Sequence, residues 1–338
     1  MSNKSSIAVC VPVFNGEETI AATLESIYSQ TSLADEVIVV DNASTDKTLE
    51  IAAQFETRGA KVYTSDANKG FNVNFNRAVR LASSKYITIL SADDILYPDY
   101  CEKMSSSCSS FSKVVFGFCA VELINENGEH VGTQSAMHDP GLVSGEEFIE
   151  EALLRRHAVC LSSVLFDREH LLDAGGFDER YTNSDYILQL LMASKGDVYY
   201  SAEKMAAYRI IANCTGEVEL YGHANLLTRK MDMLNGAFQM LDKKYGKYRK
   251  QAEARWVKFV MNFIMFAAVR YGRVHAIKMT LDVVKNRFYY IMYPRLVTSF
   301  IFSALLPKSA LVKLLQFAAS LLGKDGAAIH RALNTNQE

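Results

Sequence analysis

Several familiar devices are missing from this 338-residue chain. Its six cysteines, Cys10, Cys101, Cys108, Cys119, Cys160 and Cys214, form no CxxC pair and have no histidine at ligand spacing. That argues against a zinc module and leaves free thiols buried in apolar runs. The opening residues, MSNKSS, are polar and lead straight into a strand, so the apolar core of a secretory signal is absent and the expected location is the cytoplasm. No internal repeat or long low-complexity tract interrupts the chain. In the C-terminal third no uncharged apolar run reaches the roughly 20 residues that a helix needs to cross a bilayer. A GxGxxG does not follow the first strand, and GxxxxGK[ST] occurs nowhere. The phosphates of a nucleotide would therefore lack the usual glycine cradle, and their charge would need another partner.

What is present is a globular composition, 49% apolar and 22% charged, of a length that suits a domain of about 200 residues with an appendage. The net charge of -2 hides a split. Residues 1–225 hold 17 Lys and Arg against 32 Asp and Glu, while residues 226–338 hold 19 against 6. Two parts with different partners are expected, the basic one facing something anionic. Nucleic acid is disfavoured, because no RNA- or DNA-reading motif accompanies the charge.

Along the first hundred residues short β-branched runs alternate with helical stretches: IAVCVPVF, a helix near 17–30, EVIVVD, a helix near 45–58, KVYTS, a helix near 71–83, and YITIL. Strand, helix, strand at this spacing predicts a parallel sheet with crossover helices. VVFGFCAVELINENGEHVG then reads as a hairpin, making the sheet mixed, and DVYYSAEKMAAYRI as another extended segment. From about residue 216 the pattern is helical. Leu227, Met231, Leu234, Phe238, Leu241 and Tyr245 mark one face of a long helix, a seam that could serve a homodimer. The expected domains are residues 1–215 and 216–338.

Ligands of open α/β sheets bind outside the carboxyl ends of the strands. There the chain places FNGEE, DNASTD, DANKG and SADD. Each alone has a plain explanation: Ser44 or Thr45 as a helix cap, FNG as a tight turn, and one of Asp93 and Asp94 as a cap beside a solvated neighbour. Together, Asp41, Asn42, Asp66, Asn68, Asp93 and Asp94 make a rim suited to a hard cation and to the hydrogen-bonding edge of a base or ribose. Adjacent carboxylates repel unless something positive lies against them. Mg2+ or Mn2+ holding a diphosphate would fill that role.

In order and spacing, VCVPVFNGEETI, EVIVVDNASTDKT, NKGFNVNFNRAV, LSADDILYP and GGFDERYTNSDY resemble the family 2 glycosyltransferases over roughly residues 5–215. The resemblance implies a GT-A fold, a Rossmann-like α/β arrangement whose mixed, mostly parallel sheet is flanked by helices and followed here by an α-helical C-terminal region. It implies an inverting transfer from a UDP- or dTDP-sugar. Pro12, Phe14, Asn15 and Glu18 would line the nucleotide pocket, Asp41 would read the base with Asn42 beside it, and Asn68 and Gly70 would border it. Asp93 falls on the metal-ligating aspartate, with Asp94 sharing the metal and Ser91 replacing the family's first aspartate. Asp185 would be the general base; otherwise it caps the helix before YILQLL. Phe75 and Ile211 replace an Arg and a His common in the family, leaving Asn76 and Arg77 as candidate substitutes for the former.

The acceptor is expected to be a glycan, lipid-linked, in surface polysaccharide assembly. Arg295, Lys308 and Lys313 interrupt FYYIMYP, LVTSFIFSALLP and LVKLLQFAASLLG. Short apolar helices fringed with Lys and Arg suit an anionic membrane interface, at the inner face of the membrane; the alternative is a helical subdomain that buries these runs. Two other classes stay open: a catalytically degraded member that binds without turnover, and a nucleotidyltransferase, against which the missing glycine-rich loop argues.

Overall fold

The computed structural model describes residues 5–136, 139–155, 159–210, 223–270 and 272–286, with Pro307, Ser309, Ala310 and Lys313. The chain divides into two compact units, Met1–Ile210 and Ile211–Glu338.

The first unit starts with the predicted alternation: β1 (Ile7–Val13), α1 (Ile20–Tyr28), β2 (Glu36–Asp41), α2 (Thr48–Gln54), β3 (Lys61–Tyr63), α3 (Phe71–Leu81) and β4 (Tyr86–Ile89). It continues through β5 (Ile95–Leu96), α4 (Tyr100–Ser109), β6 (Val114–Ile124), β7 (His130–Gln134), β8 (Gly141–Val143), α5 (Gly145–Leu154), β9 (Val164–Asp167), α6 (Arg168–Asp173), α7 (Ser184–Ala193) and β10 (Asp197–Arg209). One mixed sheet joins all the strands in the order β3-β2-β1-β4-β9-β6-β10-β5, with β7 on β6 and β8 on β10. β3, β2, β1 and β4 run parallel, and β9 enters antiparallel between β4 and β6. The expected hairpin is the antiparallel pair β6–β7.

Strand β1 shows why this sequence forms a central strand. Ile7, Val9, Val11 and Val13 join a core cluster with Ile20, Leu24 and Ile27 of α1, while Cys10, on the opposite face, lies under α3 with its Sγ 3.8 Å from Ala78 O. Burial on both faces requires a continuous apolar run, each fully buried Val, Ile or Leu contributing about 1.5–3 kcal/mol. Pro12 is tolerated inside it because the β1–β4 ladder has already ended at Cys10–Ile89, on the side where a Pro12 N–H would have pointed. Cys10, Cys101, Cys108 and Cys119 are buried free thiols, as expected. Burial pushes the Cys108 and Cys119 thiols up to about 12.

In the second unit, α8 (Leu226–Met240), α9 (Arg249–Arg270) and α10 (Arg273–Asn286) pack on one another. The predicted long helix is shorter than its apolar seam. It stops at Met240, and Leu241 and Tyr245 continue in an extended residue and a 3-10 turn, Lys243–Tyr248. Leu227, Met231, Leu234, Leu241 and Tyr245 are buried within the protein itself, so they are not available as a dimer seam. No helix among the described residues is long and apolar enough to cross a membrane. Ile211 lies outside the described residues, as do FYYIMYP and nearly all of the two runs after it.

At the amino-terminal edge of the sheet, Glu36 Oε1 accepts from Ser83 N and Oγ (both 3.0 Å), Ser84 N (2.7 Å) and Ser84 Oγ (2.6 Å), joining β2 to the turn between α3 and β4. Burial pushes the Glu36 carboxyl up, but these hydrogen bonds outweigh it and hold the group below its usual range. Stability from a lowered carboxylate pKa is present above the unfolded value and lost as pH falls through the folded one. Glu36→Gln is therefore expected to cost about 1 kcal/mol in urea unfolding at pH 7. The gap from wild type should close as the pH drops below about 4; a gap independent of pH would contradict this assignment.

Candidate functional site

The loops that leave the carboxyl ends of the parallel strands bind one another through side-chain oxygens. After β1, Asn15 sits at φ 51° and Asn15 Oδ1 accepts Thr45 N at 2.8 Å, while Asn15 N donates to Ser44 Oγ at 2.9 Å. Glu17 Oε2 accepts Lys47 N, and Asp46 Oδ2 accepts Glu17 N. Ser44 and Thr45 are therefore not helix caps: Lys47 occupies the cap position of α2, with no side-chain bond to the helix. Their partners come from the neighbouring loop, which propensity cannot show. Pro12 is buried, whereas Phe14, Asn15 and Glu18 stand exposed along this edge.

Asp41, at the end of β2, is 1% exposed. Its carboxylate accepts Ser44 N (3.2 Å to each oxygen) and Thr64 Oγ1 (2.8 Å). These bonds hold Ala43 at φ 64°, a left-handed conformation that costs a non-glycine residue about 1–2 kcal/mol. Asn42 ties the β2 loop to the β3 loop. Its Nδ2 donates to Asn68 Oδ1 at 2.8 Å and its Oδ1 accepts Lys69 N at 3.1 Å; Asn68 Oδ1 also accepts Gly70 N at 2.9 Å. Gly70 leads into α3 at φ 86°, where a side chain would be strained. Asp66 is exposed on the same loop.

Asp93 and Asp94 follow β4 and have different environments. Asp94 is fully enclosed. Ser162 Oγ donates to its Oδ2 at 2.5 Å and Arg209 N to its Oδ1 at 2.8 Å, while its backbone carbonyl, with that of Ala92, takes the hydroxyl of Thr23. Burial, and then the neighbouring Asp93 charge, push Asp94 well above the usual carboxylate range, against those two bonds and the Arg209 charge. Asp93 is half-buried; burial raises it too, against its own backbone N–H and the Arg209 guanidinium. That guanidinium spans Asp93 O (Nε, 2.9 Å), Asn125 O (Nη1, 3.1 Å) and Glu126 O (Nη1, 3.0 Å). The carboxylate pair thus tolerates itself partly because Asp94 is spent on the scaffold, which leaves Asp93 as the carboxylate open to a cation.

Asp185 is half-buried in the first turn of α7, whose cap position is Asn183. Its approach is fixed by two asparagines one turn apart on α3. Asn72 Nδ2 donates to Asp178 O (3.1 Å) and Tyr181 O (2.9 Å), and its Oδ1 accepts Ser184 Oγ (2.5 Å). Asn76 exchanges two bonds of 2.8 Å with the backbone of Phe177. A Cβ on Gly176, at φ 72°, would lie 2.5 Å from Asn76 Oδ1. Phe75 packs between Phe71, at a tilt, and Phe177, edge to face. Asn76 is thereby used up, and Arg77 points to Asp41 O, Thr64 O and Ser65 Oγ.

The roles of Asn72, Ser162 and Arg209 were not visible in sequence. One signal existed for the first: three asparagines in FNVNFNR are poor choices for a helix interior and need a reason. Asn74, the third, donates to Val40 O at 2.7 Å.

Residues 8–149 match the profile of Glycosyl transferase family 2. TuaG of Bacillus subtilis, a glycosyltransferase assigned to teichuronic acid biosynthesis, is 27% identical over 218 residues, 62% of this chain and 81% of TuaG. WfgD of Escherichia coli, the UDP-Glc:alpha-D-GlcNAc-diphosphoundecaprenol beta-1,3-glucosyltransferase, is 29% identical over 136 residues, 39% of this chain and 53% of WfgD. Among solved structures, S. aureus TarS 1-349 in complex with UDP-GlcNAc superposes with a TM-score of 0.58 at 17% identity, covering 98% of this chain and 92% of that one. The mannosyltransferase PcManGT of Pyrobaculum calidifontis, in complex with GDP-Man and Mn2+, gives 0.55 at 17%, covering 99% and 87%. Identity that low establishes a shared fold, here GT-A. With the family profile on β1 to α5, glycosyltransferases among its relatives and a GT-A fold, the chain is similar to the family 2 glycosyltransferases, which are sugar-transferring enzymes.

Proposed function

We propose that the chain transfers one sugar, with inversion, from a UDP- or dTDP-sugar to a lipid-linked glycan acceptor in surface polysaccharide assembly. The observation that carries this reading is α3. Its first turn begins at the Asn68–Gly70 loop of the donor edge, and its Asn72 and Asn76 hold the backbone that delivers Asp185. The names of TuaG and WfgD, both bacterial glycan enzymes, support the polysaccharide setting, and WfgD's lipid diphosphate acceptor supports the lipid link.

In this mechanism Asp185 takes a proton from the acceptor hydroxyl as that hydroxyl attacks the anomeric carbon opposite the leaving diphosphate. A positioned base contributes about 10^2–10^4 in rate. Phe14 offers an exposed ring for a base to lie on, and Asn42, Asn68 and Gly70 fix the loop beside it. Among the described residues no three His, Cys, Asp or Glu side chains form a metal cluster. Asp93, half-buried beside the Arg209 guanidinium, still fits Mg2+ or Mn2+, which are bound through one or two carboxylates plus substrate phosphates. Such an ion, when bound, stabilises charge growing on the departing diphosphate. A binding protein without turnover is the second reading, favoured by Ser91 where a second carboxylate would otherwise stand and by Phe75, whose ring packs against Phe71 and Phe177 in place of a cation.

Calorimetric titration of UDP with and without Mn2+ tests the site first. Metal-dependent binding should vanish in Asp93→Ala and survive in Asp94→Asn, whose amide can still meet Ser162 and Arg209. Asp94→Ala, leaving those two donors buried and unpaired, should instead lower stability by about 2–4 kcal/mol. Equal loss of binding in Asp93→Ala and Asp94→Asn would return Asp94 to the metal.

Asp185→Asn should reduce UDP release from a UDP-sugar by at least about 10^2 while UDP affinity stays within about two-fold of wild type. Unchanged turnover would remove Asp185 from the chemistry, and no turnover by wild type with any acceptor would favour the binding-only reading.

The basic C-terminal region is proposed to rest on anionic lipid. The intact chain should sediment with phosphatidylglycerol vesicles and a chain truncated after about residue 285 should not. Sedimentation of both, or of neither, would sink the proposal.

A further inference from the structure

Between α3 and the loop after β3 lies a cleft of about 290 Å3. Of the polar-rim residues, Asn42 and Asp66 line it; Asp41, Asn68, Asp93 and Asp94 do not. Its floor is the face of α3 that carries Val73, Arg77 and Arg80, at i, i+4 and i+7, a different face from the one where Asn72 and Asn76 hold the Asp185 segment.

The cleft gathers Lys69, Arg77 and Arg80 against a single carboxylate, Asp66. None of the three cations forms an ion pair among the described residues. Residues 1–225 hold only 17 cations against 32 acidic groups, so three cations converging on one cleft against a single carboxylate make a local positive excess. Arg77 is also immobilised. Its guanidinium donates to Ser65 Oγ and Thr64 O, both at 2.5 Å, and to Asp41 O at 3.4 Å. All three acceptors are neutral, so they orient the charge without cancelling it. Like charges collected in a recess are relieved by an anion lying among them. The wall adds a second unmet demand: Asn74 is 4% exposed, and its Oδ1 is buried without a hydrogen-bond donor while its Nδ2 is committed to Val40 O. A hydroxyl, or a water brought with it, would answer that.

The volume sits at the small end of ligand pockets, which run from about 300 to 1,000 Å3, the scale of one hexose ring with a substituent. We propose that this cleft is an oxyanion subsite that binds a phosphate or carboxylate carried on a sugar, the chemistry of one unit of an acidic glycan. The proposal stands on the charge and shape of the cleft and does not depend on the assignment of Asp185.

The test is calorimetric titration of the full chain, without UDP and at low ionic strength, with glucose 6-phosphate, glucuronate, glucose and inorganic phosphate. At least one of the two acidic sugars should bind and glucose should not. The double variant Lys69→Glu/Arg80→Glu should weaken that binding ten-fold or more with its melting temperature unchanged. Arg77 stays intact because it ties two loops. Should the double variant unfold, Arg80→Gln, at an exposed position, reads the same loss. Inorganic phosphate binding as tightly as glucose 6-phosphate would overturn the sugar part and assign the cleft to free phosphate. Absence of binding by every anion, or binding that the variants leave unchanged, would overturn the subsite itself. Either result leaves the effect of Asp185→Asn on turnover as it was.

Discussion

Every parallel ladder ends, and where β1, β2 and β4 part company the backbone amides of the departing loops lose their strand partners. An N–H that leaves a ladder must be satisfied by a side chain or by water, and a side-chain acceptor also fixes the loop that carries it. In this protein they find them in side chains: Asn15 for Thr45, Asp41 for Ser44, Asp46 for Glu17 and Thr48, Asn42 for Lys69, Asn68 for Gly70, and Asp94 for Arg209. The polar rim at the carboxyl edge is first of all the means by which the sheet closes its loops. The nucleotide site proposed for this edge rests on that frame, because the same bonds fix where the remaining polar groups and the Phe14 ring stand.

Helix α3 carries this order from one side of the sheet edge to the other. One face buries Ala78 and Val79, another holds the chain from Phe177 to Ser184, and a third turns Arg77 and Arg80 to the outer cleft. Asparagine is a costly residue in a helix, and three of them here replace propensity with long-range hydrogen bonds. A shift of α3 would displace the donor loop and the Asp185 segment together, so the helix couples substrate positioning to the proposed chemistry without contacting either reacting group.

The adjacent aspartates show how burial divides identical residues. Asp94 lies inside, with both carboxyl oxygens engaged and its ionisation disfavoured, and it anchors β4 to the end of β10. Asp93 stays half-buried under the influence of the Arg209 guanidinium. From the letters SADD the two could not be told apart, since the distinction comes from Ser162 and Arg209, 68 and 115 residues away from Asp94. Ser44 and Thr45 failed as caps for the same reason: their bonds go to Asn15, about 30 residues back, and local pattern carries no information about a partner in another loop.

Apolar patterning determined the alternation from β1 to β4 and the helical second unit, because burying a strand on both faces or a helix on one demands an apolar pattern in the chain itself, and the Asn127–Gly128 turn signal added the hairpin. The order of the motifs was enough to locate the polar edge. The tertiary structure decided the antiparallel insertion of β9, the early end of α8 at Met240, the enclosure of Asp94, and the asparagine hold on the approach to Asp185. Each of these depends on which distant backbone groups lack a partner once the sheet has closed, and a linear sequence does not record that.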